Sequence, residues 1–306
     1  MKTTTTAFFI YALTVATSFT VAENFVELAD VPQTATSVNI QPQCVTSGYY
    51  PNIMYTIEIA DNVTVSTSPA NLVTVHLKGN ALSFTRSVVN ATHGGVKIGL
   101  PAGKFNSLTI GRQTNAQILD GFTAVKSLSV TGQSVLTADL SSNALPVILD
   151  VTGQSTVTVK SGRHLSGGGI TGQSTITVET PSYDDLLITG QSKIYIDGNV
   201  DSASVNRQST MVVSGNVTGV VSNSGISRIN ARSCGSPITN TDLSTCTPSG
   251  YTVSVSVTKQ PTIMPSTNTR LYCDDEKSGN TSSAYSCPVG ATAAVAAAAY
   301  MIMSFM

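Results

Sequence analysis

The sequence predicts an all-β chain wound as a parallel β-helix, a β-solenoid with about 16–21 residues per rung. Three observations predict it. The tetrapeptide Thr-Gly-Gln-Ser stands at 131–134, 152–155, 171–174 and 189–192. It belongs to a longer unit whose equivalent positions 111, 131, 152, 171, 189, 206 and 222 are spaced by 20, 21, 19, 18, 17 and 16 residues. On both sides of the tetrapeptide, apolar and polar residues alternate at period two, the pattern of strands buried on one face.

The elements follow in chain order. Residues 1–22 carry Lys2, an apolar run from Ala7 to Val15 and small residues up to Ala22. Charge, short apolar core and small-residue site in that order predict a secretory signal peptide removed after Ala22. Residues 23–106 hold strand-like stretches such as "YTIEIA", "LVTVHLKG" and "GGVKIGLPAG" without the tetrapeptide, and are expected to form irregular first rungs.

The regular solenoid is expected over 107–232. One apolar column runs Ile110, Val130, Val151, Ile170, Ile188, Val205, Val221, just before each corner. Beyond the corner run Ala116, Leu136, Val157, Ile176, Ile194, Met211, and then Ile118, Ala138, Val159, Val178, Ile196, Val213. A single rung cannot bury its own face, so rungs must stack, which pairs their strands in parallel. Gly111, Gly132, Gly153, Gly172 and Gly190 are placed at the corner, where a residue without Cβ can take positive φ. Beside them Gln113, Gln133, Gln154, Gln173, Gln191 and Gln208 form a column. Identical amides stacked about 4.8 Å apart can bond as a ladder. The tetrapeptide is therefore a corner brace. The alternative is an amide strip that binds sugar hydroxyls.

Residues 233–280 are expected to be a disulfide loop followed by a Ser/Thr/Pro-rich stalk. Cys234 and Cys246 enclose a short loop and are the first candidate pair, leaving Cys44 with Cys273; spacing alone does not fix connectivity. Sequons at Asn62, Asn90, Asn216 and Asn280 are candidate N-glycosylation sites. Residues 281–306 end in the uncharged run "VGATAAVAAAAYMIMSFM". With small residues Ser278, Gly279 and Asn280 and a polar spacer before it, this is the pattern of a GPI attachment signal, those three being the candidate lipid attachment residues. A retained tail-anchoring helix is the alternative. Both place the protein at a membrane surface, through the exported side of the cell.

With 16 basic and 17 acidic residues the charge is nearly balanced, so no nucleic-acid partner is expected. Catalysis on a β-helix needs carboxylates converging on one face. Asp120, Asp139, Asp150, Glu179 and Asp197 read as scattered over unrelated rung positions, and the adjacent Asp184 and Asp185 as a solvated loop pair. His76, His93 and His164 lack metal-ligand spacing, "SGGG" at 166–169 reads as a loop, and no cofactor or metal is expected. Thr156 and Thr158 above Thr175 and Thr177 raise an ice-binding face, but only two rungs carry the pairs.

The repeated unit resembles the head GIN domain family of auto-transporter adhesins, in which "L-x-V-x-G-S-G-D" segments recur along a parallel β-solenoid. The likeness covers about residues 34–232, including "LVTVHLKGNALSFTRSVVNATHGGVKIGLPAG". This chain writes Gln-Ser where that family has Ser-Gly-Asp. The resemblance implies surface adhesion and supplies no catalytic residue. Together these readings predict a non-enzymatic, adhesin-like or structural coat protein with glycans or surface proteins as partners. A carbohydrate-active β-helix enzyme is the runner-up.

Overall fold

The computed structural model describes residues 25–44, 48–50, 52–87, 93–219, 221–234, 238–240, 245–248, 250, 252–257 and 271–273. The signal segment 1–22, the tail 281–306, and Asn90, Ser278, Gly279 and Asn280 lie outside the described residues, as do the side chains of Cys44 and Cys273.

Each rung consists of a strand entering the corner and a strand leaving it. Entering strands stack into an 11-stranded sheet and leaving strands into a 13-stranded sheet. From Ser107 to Ala231 the chain makes seven such turns, and Ile238–Asn240 with Thr245–Pro248 continues the stack. All pairings between successive turns are parallel, and they stay in register apart from a shift after Glu179, for example Val130 with Val151 and Val157 with Ile176. The three apolar columns through 213 face inward. Ile110, Val130, Val151, Val157, Ile176 and Ile194 are all buried in one core that runs the length of the stack.

Two register assignments change. Gly111 pairs level with Thr131, one residue ahead of the corner, and the left-handed position above Gly132 belongs to Arg112 (φ 63). Below Gly190 it belongs to Arg207 (φ 67). At the seventh turn Val221 pairs with Ala203, and Asn223 stands under Val205. The turn is thus Ser224-Gly225-Ile226-Ser227, a copy of Thr-Gly-Gln-Ser with isoleucine for glutamine. The apolar rule pointed at Val221 because Asn223 is polar. Its amide is nevertheless buried, donating to the Thr245 carbonyl and accepting from Ser227 Oγ.

The N-terminal region builds two further rungs in reversed order. Ser37–Cys44 and Asn52–Ile59 pair directly with Ser107–Ile110 and Asn115–Ile118. Ala81–Arg86 and His93–Leu100, later in sequence, lie outside them. Antiparallel strands then close the end: Val73–Lys78 on Ala81–Arg86, Thr64–Ser68 on His93–Leu100, and Val26–Glu27 on Thr64–Ser68. Aromatic side chains fill this end and its junction with the regular turns. Tyr55 meets Phe84 edge-on at 5.6 Å, and Phe105 meets Phe122 at 4.9 Å.

The C-terminal part departs from a free stalk. Cys234 and Cys246 are joined by a disulfide. Beyond it Thr252, Ser254 and Ser256 are exposed while Val253, Val255 and Val257 are half-buried. Thr252, Val253 and Ser254 line a groove with Thr177, Tyr195, Val212 and Asn230 on the outer face of the leaving sheet. Leu271–Cys273 pairs antiparallel with Gly48–Tyr50.

Candidate functional site

The corner is a set of three distinct columns, one for each of the last three letters of the tetrapeptide. The glycine column takes left-handed φ of 79, 90, 92 and 94 at Gly132, Gly153, Gly172 and Gly190. A Cβ on Gly172 would stand 2.3 Å from the Gly153 carbonyl oxygen of the preceding turn. Backbone conformation and close stacking therefore both select glycine.

The glutamines point outward and form one chain of amides. Nε2 of Gln113 donates to Oε1 of Gln133 at 3.1 Å, and the same link joins 133 to 154 (3.0 Å), 154 to 173 (3.0 Å), 173 to 191 (2.9 Å) and 191 to 208 (2.9 Å). Ile226 occupies the next position and is 52% exposed, so the ladder stops there.

The serines turn inward. Thr114, Ser134, Ser155, Ser174, Ser192, Ser209 and Ser227 are all buried. Ser134 Oγ donates to the Thr131 carbonyl at 2.8 Å, three residues back, and lies 3.1 Å from the Arg112 carbonyl of the previous turn. Ser155 and Ser192 repeat this arrangement. Each hydroxyl thus satisfies its own turn's corner carbonyl and stands near a carbonyl of the previous turn that already accepts the N–H of the adjacent Gln. Sequence reading missed this column, although the serine recurs as faithfully as the glutamine.

The carboxylates are less scattered than their sequence positions suggested. Asp139, Lys160, Glu179 and Asp197 form one column on successive turns. Each of the four stands five residues after the serine of its tetrapeptide, so the repeat already carries this alignment, and the return loops of unequal length come after it. Lys160 Nζ lies 3.5 Å from Glu179, and Ser214 Oγ donates to Asp197 at 2.6 Å. Glu179, Asp197 and Arg232 share a groove with Gly198, Asn199 and Gly215. A register shift after Glu179 opens the strands there. Asp120 and Asp150 stand elsewhere, each accepting a loop amide, from Ser142 and Gly169 respectively.

Asp184 and Asp185 do not act as a pair. Asp185 accepts from Ser202 at 2.6 Å, whereas Asp184 faces Asp201 of the next turn and lies 3.8 Å from His164 Nε2. Partial burial, and then the hydrogen bond and charge of Asp201, push the Asp184 carboxyl above its ordinary range. His76 is exposed on its strand, and His93 opens the strand His93–Leu100. Ser166 and Gly169 belong to short strands flanking the left-handed Gly167 and Gly168, with Gly169 N–H donating to Asp150. Among the described residues no group of three or more His, Cys, Asp or Glu could hold a metal.

Thr156 and Thr158 pair level with Thr175 and Thr177. Lys193 and Tyr195 follow them, Val135 precedes Thr156, and Thr177 lies in the groove beside Thr252–Ser254, so the threonine surface is short and partly overhung. Of the described sequons, Asn62 is exposed and Asn216 is half-buried, its Oδ1 accepting from Ser233. No described helix is long and apolar enough to cross a membrane.

No family model matches the chain, and no curated protein matches it, so the head GIN name gains no support of that kind. Solved structures similar in fold include a "putative adhesin" from Bacteroides fragilis, with 12% identity, 72% of this chain and 95% of that chain covered and a TM-score of 0.45. A "putative lipid binding protein" from Parabacteroides distasonis has 10% identity, coverages of 73% and 95% and a TM-score of 0.41. A "putative adhesin" from the same species has 13% identity, coverages of 74% and 95% and a TM-score of 0.39. At these identities and scores the likeness bears on no individual residue.

Proposed function

We propose that this chain is a non-enzymatic, adhesin-like or coat protein displayed on the cell surface, its solenoid recognising glycans or other surface proteins. One observation carries the reading. Seven turns stack level on both sides of the corner, so polar side chains on the outside repeat at about 4.8 Å along one face. Ser107 and Ser127, Thr109 and Ser129, and Ser204 and Ser222 are such level pairs on the entering sheet. A ligand with many weak contacts suits a surface of that kind, because each contact is prepaid in geometry. The head GIN-like unit and the adhesin descriptions of the fold neighbours agree with this reading without adding to it. Export by the signal segment and attachment through the C-terminal tail complete the proposal. The glutamine ladder serves it as a brace.

The test uses the whole chain on cells. Phosphatidylinositol-specific phospholipase C should release it, and the released protein should bind a subset of a glycan array or of cell-surface proteins. Retention by accessible cells would favour a tail helix. Absence of binding to either class would remove the adhesin reading.

The Glu179–Asp197–Arg232 groove favours a second reading, a carbohydrate-active enzyme. Two carboxylates stand level on adjacent turns and line one groove with an arginine, and glycoside hydrolysis uses a carboxylate pair. Polysaccharide turnover by the purified protein, abolished by both Glu179→Gln and Asp197→Asn, would establish it. The adhesin reading expects no product and unchanged binding in both variants.

A further inference from the structure

We infer that the C-terminal segment is a return strap that carries the chain back along the solenoid, so that the protein stands on the membrane with its first rungs down and its last rungs outermost. The inference rests on the proposed tail attachment for its membrane half only.

Three observations point to it. The last strand of the stack, Thr245–Pro248, lies at the far edge of the leaving sheet. From there Thr252–Ser254 borders a groove with Asn230, Val212, Tyr195 and Thr177, one column on four successive turns that leads back toward the start. The strap therefore crosses the strands instead of adding to them. Its alternating valines, half-buried on one side, are what an extended segment laid on a sheet requires. Finally, Leu271–Cys273 pairs with Gly48–Tyr50, inside the excursion that joins the two strands of an N-terminal rung.

The lengths are compatible. Eight steps separate Asn52–Ile59 from Thr245–Pro248 in the leaving sheet, roughly 40 Å at about 4.8 Å per step. The residues between Pro248 and Leu271, even at about two-thirds of full extension, reach farther than that. A stalk leaving from the last turn would place the opposite end toward the membrane. The two arrangements present different surfaces outward: the strap leaves the Cys234–Cys246 loop, Ile226 and the Glu179–Arg232 groove on the distal half.

Energy transfer decides the question on the full-length protein. A donor dye at Lys277 is paired with an acceptor at Lys78, in the N-terminal hairpin, or at Ile226, near the last turn. The strap predicts clearly higher transfer to Lys78, and equal or higher transfer to Ile226 would overturn it. On intact cells, a donor at Lys78 should be quenched by a membrane-soluble acceptor more than a donor at Ile226, and the reverse order overturns the proposed orientation. Protein absent from the membrane would defeat tail attachment, and with it the orientation, while the Lys277 comparison still decides the strap.

Discussion

Between Ser107 and Val213 every strand pairs in parallel with its counterparts above and below, whereas between Val26 and Leu100 parallel and antiparallel pairs mix. The first region fills most of its interior with aliphatic columns, adding Phe122 and Tyr183 off those columns, and the second builds around Tyr55, Phe84 and, at the junction, Phe105. The contrast teaches how a solenoid begins. A stack of identical turns ends in a row of unpaired amides and carbonyls, a template for unwanted pairing. Strands running the other way cannot continue the winding, so Thr64–Ser68 and Val73–Lys78 terminate it. Larger side chains then fill the space that no neighbouring turn occupies.

The sharpest way to break this contrast lies in the regular core. Ile176→Asp places a carboxylate between Val157 and Ile194 in a dry column. It loses about 1.5–3 kcal/mol of burial and adds an unpaired buried charge. We expect a loss of about 4 kcal/mol or more in urea unfolding. Thr175→Asp, outward and beside Lys193, should stay within about 0.5 kcal/mol. Equal losses would refute the inward and outward assignment.

Glycine compares the two regions directly. Gly172→Ala meets both a left-handed backbone and the Gly153 carbonyl, and should lower stability by about 2 kcal/mol or more. Gly79, in the N-terminal hairpin, is also left-handed but has open space around it. Gly79→Ala should cost about 1 kcal/mol. Matching shifts in melting temperature would mean that stacking adds nothing to the corner.

The ladder should respond more weakly, being exposed. Gln173→Ala removes two links and should cost about 1 kcal/mol, and Ile226→Gln, which offers Gln208 a partner, should add about 0.5 kcal/mol. An unchanged melting curve with binding lost in Gln173→Ala would identify the amides as a recognition strip.

The smallest effect concerns pH. Because the Asp184 carboxyl is raised, the folded protein holds that proton more tightly than the unfolded chain does. Stability from this group is therefore present at low pH and declines as pH rises through the raised value. Asp201→Asn removes the opposing charge, so the NMR titration of Asp184 should move downward and the decline should flatten. An unmoved titration would assign the shift to burial alone.

The winding, the inward columns and the corner were legible because the turns repeat them and strand parity translates directly into burial. What stayed hidden lies where the repeat itself is broken, because there no column fixes the register. Asn223 broke the apolar rule and displaced the seventh turn by two residues. Asp139, Glu179 and Asp197 each stand five residues after their tetrapeptide's serine, so their column was legible in the repeat and was passed over because charges were not aligned as the apolar residues were. The reversal of the two N-terminal rungs has no local signal, since each strand looks alike wherever it pairs. Val253, Val255 and Val257 did alternate, but with Ser and Thr between them they resembled the composition of a stalk.

The amides of the glutamine column all face the same way, each donating toward the later turn. Their dipoles therefore add, and the column becomes an electrical axis made wholly of side chains, comparable in principle to that of a helix. Its negative pole is Gln113 Oε1, buried and without a hydrogen-bond partner among the described residues. The guanidinium of Arg86, itself buried, donates at 3.5 Å to the backbone carbonyl of the same residue, Gln113. A repeated corner thus gives the molecule polarity, and the residue that begins the column carries a cation on its backbone.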